Sequence, residues 1–147
     1  MDICKYRSLY LNEILSILES KKICSFITTT SDNDVNITPM WYTFDYDTIT
    51  EKLTFYFINM NNEKNINQLK NTDKICISLE NYTVGFYIDA YQSISAYGTS
   101  EFIDDPNEKE SVLLKFKKKY SPDSNSNKYS HFKYLKINIT NIIGRQY

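Results

Sequence analysis

Six short runs of aromatic and β-branched residues, separated by polar turn residues, constrain the fold of this chain more than any other feature. Such residues favour β-strands, and the sequence holds 13 tyrosines and 8 phenylalanines against only 3 glycines. The predicted strands are 23–30, 35–47, 51–59, 74–80, 91–104 and 132–144. Pro39 inside the second strand predicts an edge position or a bulge, because proline has no N–H to donate. Gly98, at the middle of the fifth strand, predicts a bend or a bulge.

Helical patterns flank these strands. Four apolar residues recur at helical spacing near the N-terminus: Leu11, Ile14, Leu15 and Leu18. They predict an amphipathic helix over 8–20, with Ser8 as its N-cap. A short helix is predicted at 63–71, and a third begins with Asp105 as N-cap and Pro106 at the first helical position. Six mostly antiparallel strands with helices on their flanks predict one domain, a small barrel of the α+β type.

The overall charge and the cysteine pattern argue against several classes of function. A formal net charge of −1 argues against a nucleic-acid partner, because nucleic-acid binders usually show a basic face. The lysine run at 115–119 is typical of the solvated side of an amphipathic helix. Cys4, Cys24 and Cys76 lie far apart and form no CxxC pair, so neither a disulfide framework nor a zinc site is predicted. With no signal-peptide pattern and no run long enough to span a membrane, the sequence predicts a soluble, cytoplasmic protein without a membrane partner.

One lysine has an unusual position. In FYFINMNNEKNINQL (55–69) a strand gives way to a cluster of asparagines and then to a helix, with Lys64 in the first helical turn. The positive end of the helix dipole makes a lysine there mildly unfavourable unless an anion lies between the two. A phosphate group would suit this position, but a surface lysine without any ligand fits it too and is the commoner case.

The order of these elements resembles that of the FMN-binding split-barrel family, which includes pyridoxamine 5'-phosphate oxidase and the smaller nitroimidazole-reductase-like flavoproteins. Four segments carry the resemblance: ILSILESKKICSFITTT, NITPMWYTFDYD, LTFYFINMNNEKNINQLKNTDKICISLE, and SISAYGTSEFIDDPNEK with the closing YLKINITNIIGR. They span nearly the whole chain and look closer to the nitroimidazole-reductase-like branch. The resemblance implies a mainly β fold of the α+β type over residues 1–147: a six-stranded antiparallel split β-barrel with Greek-key character and flanking helices.

The resemblance also implies where a cofactor would bind. In such proteins the basic residue after the third strand binds the FMN phosphate. Lys64 occupies that position here, and Asn65 with the backbone N–H groups of the following helix would share the anion. The flavin ring of the family lies along the second and third strands, at positions that correspond to Met40, Trp41, Tyr42, Thr43, Phe57, Ile58 and Asn59. A polar contact in the strand before the central glycine corresponds to Gln92 and Ser93. Because strand residues alternate between two faces, only one face is expected to meet the ring, and the others belong to the barrel core.

Several positions depart from the family pattern. The turn between the first two strands lacks its common glycine and has the sequence SDND. The frequent glycine before the phosphate-binding lysine is Asn62, and Asn65 follows Lys64 where the vitamin enzyme often has a second basic residue. The basic cluster that binds a substrate phosphate is also not evident. These departures count against vitamin B6 oxidation.

Two functions of different classes remain open from the sequence. The first is an FMN-dependent oxidoreductase, in which the flavin accepts a hydride from NADH or NADPH and passes electrons to a small oxidised substrate such as a nitroaromatic. The second is a non-catalytic flavin- or haem-binding module, including a sensor. No nucleophile–base pair and no metal-ligand cluster is recognisable, so no catalytic residue is predicted and the chemistry belongs to the cofactor. The family also implies a homodimer with FMN at the subunit junction, and the aromatic-rich strands offer more apolar surface than one barrel can cover.

Overall fold

The chain forms eight strands and three helices over the residues that the structure describes. The computed structural model describes residues 5–29, 32–85, 89–121, 129 and 131–147; Cys4 and most of the polar segment 121–130 lie outside them. The strands are β1 (Arg7–Ser8), β2 (Ile23–Thr29), β3 (Val35–Trp41), β4 (Thr43–Asp47), β5 (Lys52–Ile58), β6 (Lys74–Val84), β7 (Asp89–Ile103) and β8 (Tyr134–Gln146). The helices are α1 (Leu11–Ser20), α2 (Lys64–Asn67) and α3 (Pro106–Tyr120).

A single antiparallel sheet forms the body of the fold. Seven strands follow the order β3-β2-β6-β7-β8-β5-β4, and β1 pairs with β8. The first and last strands of this order, β3 and β4, are consecutive in the chain, and only Tyr42 separates them. The sheet therefore curls into a barrel whose two edges are joined through Tyr42. The prediction of a mainly β, antiparallel barrel with flanking helices is confirmed.

The strand predicted at 35–47 is in fact two strands. The structure breaks it at Tyr42, where Tyr42 and Thr43 are both buried. Two consecutive buried side chains interrupt the alternation of a regular strand. Together with the short β1, this break raises the number of strands from the predicted six to eight among the described residues. β6 also continues to Val84, beyond the predicted end at residue 80.

The positions predicted for Pro39 and Gly98 are confirmed. β3 lies at one edge of the sheet and, among the described residues, pairs only with β2, so Pro39 interrupts no second ladder there. The register between β7 and β8 shifts between Tyr97 and Gly98, as a β-bulge requires. A Cβ atom at position 98 would lie 2.3 Å from the carbonyl oxygen of Asn138. Glycine is therefore needed for the two strands to approach this closely.

The start of α1 differs from the prediction. Ser8 is not its N-cap, because Ser8 belongs to β1 and pairs with Arg145 of β8. The helix begins at Leu11, after the Tyr10 N–H donates to the carboxylate of Glu13 at 3.0 Å. A pattern of apolar residues shows that a helix exists, but the hydrogen bonds of its first turn decide where it begins.

Of the other two helices, one begins at the predicted residue and one is shorter than predicted. α3 begins as predicted: the Asp105 carboxylate accepts from the backbone N–H of Asn107 at 3.1 Å, and Pro106 is the first helical residue. The helix predicted at 63–71 spans only Lys64–Asn67.

Two apolar cores hold the strands and helices together. The larger fills the barrel interior and includes the buried side of α1, with Leu18, Phe26 and Phe55 fully buried. The smaller joins α3 to β5, β7 and β8 and is built around Val112 and Phe116. Burying one such side chain contributes about 1.5–3 kcal/mol, so these contacts fix α1 and α3 against the barrel.

Candidate functional site

A groove of about 340 Å³ lies between β3 and the segment that follows β5. Residues 38–41 of β3 line one side, residues 58–61 and Glu63 line the other, and Ile23 completes the lining. β3 pairs only with β2, and β5 pairs with β4 and β8, so the groove occupies the place where the barrel remains open. Its volume lies within the range of roughly 300–1,000 Å³ that is typical of small-molecule sites.

Four of the predicted ring contacts line this groove: Met40, Trp41, Ile58 and Asn59. Met40 and Trp41 are adjacent and point to opposite faces of β3, yet both contribute because the groove lies at the free edge of that strand. Both faces of β3 thus contribute to the groove lining, and the expectation that only one face meets the flavin ring stays a prediction. Met60 adds a third apolar side chain beside them.

The asparagine cluster organises the loop between β5 and α2. The amide of Asn59 donates to the Glu63 carbonyl at 2.9 Å and to Asn67 Oδ1 at 2.8 Å, and Asn59 Oδ1 accepts from the Glu63 N–H at 2.9 Å. The Asn67 amide donates to Asn62 Oδ1 at 2.5 Å. Asn62 has a φ of 51°, which asparagine tolerates better than most residues, and this explains how it replaces the glycine of the family. The buried Asn59 thus uses both of its N–H donors within the loop.

Lys64 is exposed and is the first residue of α2. Its ammonium group has no hydrogen-bond or ion-pair partner within the described ranges. Because α2 has only one turn, its dipole is weaker than that of the longer helix predicted here, and the lysine charge would carry most of the attraction for an anion. The Asn65 amide donates to Thr38 Oγ1 at 3.1 Å and connects α2 to the groove. The carboxylate of Glu63 disfavours an anion on its own side of the groove.

The groove wall at Trp41 is held in place by α3. The rings of Trp41 and Tyr120 stack, with centroids 4.5 Å apart and planes inclined by 2°. The Tyr120 hydroxyl accepts from the Tyr42 N–H at 3.0 Å and lies 2.7 Å from the Tyr42 carbonyl and 2.8 Å from the Lys22 carbonyl, one of which accepts its proton. Lys119 Nζ also donates to the Tyr42 carbonyl, at 3.2 Å. Side chains of α3 therefore satisfy the peptide groups at the break between β3 and β4.

Burial controls the ionisation of the groups at this break. It lowers the pKa of Lys119 to about 8 and raises the pKa of Cys24 to about 12. It also raises the pKa values of Tyr42 and Tyr120. At neutral pH these hydroxyls and the thiol stay protonated, so they support the fold and do not act as bases.

Three predicted ring contacts lie outside the groove lining. Tyr42 and Phe57 are fully buried in the larger core, where Tyr42 donates its hydroxyl proton to the Leu18 carbonyl at 2.6 Å. Phe57 packs edge-to-face on Phe26 with ring centroids 4.8 Å apart. Thr43 is buried as well, and its Oγ1 has no hydrogen-bond partner in the described part of the chain. Tyr42 and Phe57 therefore belong to the barrel core. The alternation of strand residues between two faces predicts that some of the proposed ring contacts would do so.

Gln92 and Ser93 do not reach the groove of their own chain. They lie on β7, three strands from β3, which corresponds to about 14 Å at the usual strand spacing. The Gln92 amide donates to Gln146 at 3.0 Å and accepts from Asn81 at 2.8 Å. Ser93 pairs with Glu80 and Arg145 across the sheet. The structure therefore does not bring these two residues together with the groove lining, and their contact with a cofactor stays a prediction.

The sequence prediction missed Thr38 and Tyr120. Thr38 lies two residues before Met40 and so on the same face of β3, a signal that strand alternation could have revealed. Tyr120 lies 78 residues after Tyr42, and no local pattern indicates that α3 docks there.

None of the described helices has the length and apolar character that a bilayer crossing requires. Over the same residues, no group of three histidine, cysteine, aspartate or glutamate side chains could hold a metal ion.

An antiparallel barrel that stays open at one corner and has a groove there defines the split-barrel class. A family model described as pyridoxamine 5'-phosphate oxidase matches residues 11–146. The chain therefore belongs to the pyridoxamine 5'-phosphate oxidase family, and the family prediction is confirmed. A search of curated protein sequences finds no match.

Solved structures share this fold at low sequence identity. A candidate 5-nitroimidazole antibiotic resistance protein from Bacteroides thetaiotaomicron is 22% identical with a TM-score of 0.69, covering 97% of this chain and 87% of that one. An FAD-binding protein from Mycobacterium smegmatis is 16% identical with a TM-score of 0.72, covering 96% and 98%. The haem storage protein HutZ from Vibrio cholerae is 8% identical with a TM-score of 0.64, covering 92% and 94%. These likenesses establish the fold, and the groups named for the last two proteins differ, FAD for one and haem for the other.

Proposed function

We propose that the protein is an FMN-binding flavoprotein that passes electrons from a nicotinamide to a small oxidised substrate. The observation that carries the proposal is the groove at the open corner of the barrel, with the unpartnered Lys64 at the start of the adjacent helix. Family membership supports a flavin as the ligand, and the flavin would supply the hydride-accepting chemistry. The M. smegmatis protein is an FAD-binding protein, so the choice of FMN over FAD rests on the groove volume and the phosphate position.

Residues of the groove and of the adjacent helix α2 fit the two parts of such a ligand. Met40, Trp41 and Ile58 offer apolar surface for a flat aromatic ring. Lys64 and the amide of Asn65 lie next to one another, where a phosphate would receive a charge-assisted hydrogen bond. The chain's own residues would therefore bind and orient the cofactor, and nothing in the groove needs to act as an acid or base.

Replacing Lys64 by alanine tests the phosphate position. Loss of one charge-assisted contact should weaken FMN binding roughly tenfold to a hundredfold, measured by fluorescence titration of the apo-protein. Riboflavin, which has no phosphate, should bind the unmodified protein weakly and respond little to the substitution. Lys118→Ala, at an exposed position on α3, is the matched control and should leave FMN affinity unchanged. Equal FMN affinities for Lys64→Ala and the unmodified protein would remove Lys64 from the site.

We also propose that the protein is a homodimer with the flavin at the subunit junction. The outer side of β3, β2, β6 and β7 carries a row of register partners across four strands: Ile37, Ile27, Cys76 and Tyr97. We call this surface, together with Val35, Ile23 and Trp41, the open face. Ile37 and Val35 are 65% and 61% exposed, so much apolar surface on this side is uncovered. Ile23 and Trp41 belong both to the open face and to the groove lining, which supports a ligand at the edge of the interface.

The dimer proposal is tested by sedimentation equilibrium at low micromolar concentration. An obligate interface buries roughly 2,000 Å² or more in total, so Ile37→Asp should shift the protein toward its 17.4 kDa monomer and release FMN together with the partner. Ile49→Asp, at an even more exposed isoleucine in the turn between β4 and β5, should do neither. Added FMN should lower the protein concentration at which the dimer dissociates. A monomer that retains FMN would contradict the shared site.

Spectra of the purified protein separate the enzyme from a binding module. Flavin absorption bands that bleach on addition of NADH or NADPH support the oxidoreductase. A bound flavin that neither nucleotide reduces would favour a non-catalytic module. A Soret band would indicate haem and would contradict the flavin assignment.

A further inference from the structure

A second groove, of about 540 Å³, lies on the other side of the Asn65–Thr38 contact. It is lined by the end of β2, the start of β3, α2, and the loop that leads into β6. Asn36 and Thr38 are two residues apart on β3, so their side chains lie about 7 Å apart along the same face. Asn36 lines the second groove and Thr38 lines the first. The two grooves therefore lie side by side, separated by the Asn65–Thr38 hydrogen bond.

The floor of the second groove carries a hydroxyl group that can bind a ligand. Thr28 is only 4% exposed and lines the groove. Its hydroxyl can donate one hydrogen bond and accept others, so it is suited to bind a polar ligand group that enters the groove. The amides of Asn36, Asn65 and Gln68, which also line the groove, can each donate and accept hydrogen bonds.

Two lysines give the second groove its charge. Lys70 and Lys74 line it, and neither ammonium group pairs with a carboxylate in the described part of the chain. The one carboxylate of the groove belongs to Asp73, and its Oδ2 accepts from the Lys70 backbone N–H at 2.8 Å. The groove therefore has a formal excess of one positive charge, which favours an anionic ligand.

The loop that carries these lysines is firmly anchored. The buried Ser100 donates from its hydroxyl to the Lys70 carbonyl at 2.6 Å, and its backbone N–H donates to the Asp73 carbonyl at 2.9 Å. The Ser100 carbonyl accepts from the Thr72 N–H at 2.7 Å. A second anchor joins Asn71 Oδ1 to the backbone of β7 at 2.9 Å. A loop that is already ordered loses little entropy when a ligand binds, which makes this a preorganised position for the lysines.

We propose that the second groove binds a nucleoside 5'-monophosphate group. The two lysines match the phosphate, the amides of Asn36 and Gln68 and the Thr28 hydroxyl match the hydrogen-bonding edges of a ribose and a base, and Leu69 supplies an apolar contact. The volume exceeds what a phosphate alone requires and lies within the usual range of roughly 300–1,000 Å³. Such a group has two sources: a free nucleotide, or the adenylate half of a flavin dinucleotide whose first half occupies the neighbouring groove. The inference does not depend on the proposed oxidoreductase activity.

Calorimetric titration of FMN-saturated protein with AMP tests the groove directly. AMP should bind at least about tenfold more tightly than adenosine, since adenosine has no phosphate for the lysines. The double variant Lys70→Ala/Lys74→Ala should weaken AMP binding at least about tenfold while changing FMN affinity less than about threefold. Thr28→Val keeps the shape of the side chain and should also weaken AMP binding. Lys118→Ala should leave it unchanged.

FAD separates the two sources of the nucleotide. If the group arrives as part of a dinucleotide, FAD should bind at least about tenfold more tightly than FMN, and the double lysine variant should abolish that advantage. If it arrives free, FAD and FMN should bind alike, and AMP should bind beside either one. The proposal is overturned if AMP competes with FMN, or if no AMP binding is seen at about 1 mM and FAD has no advantage over FMN. If the protein binds AMP but no flavin, and the double lysine variant loses AMP binding, the proposed flavin function is contradicted. The assignment of the second groove to a nucleoside monophosphate then still stands.

Discussion

Tyr120→Phe removes a single hydroxyl that holds the break between β3 and β4. In the native protein this hydroxyl accepts from the Tyr42 N–H at 3.0 Å and lies 2.7 Å from the Tyr42 carbonyl. Lys119 still donates to that carbonyl in the variant, so the carbonyl keeps a partner while the N–H loses its only one among the described residues. Two hydrogen bonds of about 1 kcal/mol are lost and one N–H is left unsatisfied at a buried residue, so the expected loss is about 2–3 kcal/mol.

The loss can be measured by urea denaturation, with Trp41 as an internal probe. Trp41 is the only tryptophan of the chain and stacks on the ring that the variant retains, so native emission should change little while the transition moves. For a chain of this size the same loss lowers the melting temperature by roughly 4–12 °C. Tyr82→Phe removes a hydroxyl from an exposed ring outside the open face and should stay within about 0.5 kcal/mol of the unmodified protein. A loss below about 0.5 kcal/mol for Tyr120→Phe would refute the view that this hydroxyl holds the break.

Urea denaturation also tests three further predictions. Gly98→Ala should cost about 2 kcal/mol or more, because its Cβ would meet a backbone carbonyl at 2.3 Å, whereas the Cβ of Gly144→Ala meets only side-chain atoms and should cost less. Burial raises the pKa of Cys24 from 9.0 to about 12, so the folded state keeps this proton longer than the unfolded state. The contribution of Cys24 to stability is then complete below pH 9 and falls between pH 9 and 12, by about 3 kcal/mol at pH 11, and it should appear as a difference of that size between the pH profiles of the unmodified protein and Cys24→Ala. Thr43→Val removes a buried hydroxyl without a partner and should raise stability by about 1 kcal/mol with no change in FMN affinity; weaker FMN binding would instead return Thr43 to the flavin site.

Features that depend on local backbone chemistry could be predicted from the sequence. The edge position of Pro39, the bulge at Gly98 and the cap at Asp105 each follow from one residue's hydrogen-bonding or steric limits, and the structure confirms all three. The strands were predictable because aromatic and β-branched runs are long enough to outweigh the ambiguity of any single position. Helix ends were less predictable. Ser8 has the side chain of an N-cap, but it pairs with Arg145 in the sheet instead.

Features that depend on distant partners could not be predicted in this way. The pattern of VNITPMWYTFDYD is that of one strand, and nothing local to Tyr42 indicates a break. The break is stable because Tyr120 and Lys119 supply the hydrogen bonds that a neighbouring strand would otherwise provide. The same limit explains the site prediction. Alternation separates core from surface, yet it does not show that the free edge of β3 exposes two consecutive residues, Met40 and Trp41, to one groove.

Trp41 connects three properties that would otherwise be independent. Its ring stacks on Tyr120, it lines the groove, and it belongs to the open face that we propose as the dimer interface. A change at Tyr120 that removes the ring itself, such as Tyr120→Leu, would leave one side of Trp41 without support and so alter the groove and the interface together. Because ligand binding and association then share one side chain, loss of α3 packing should release the flavin and the partner at the same urea concentration. Two separate transitions would mean that the groove is built independently of the interface.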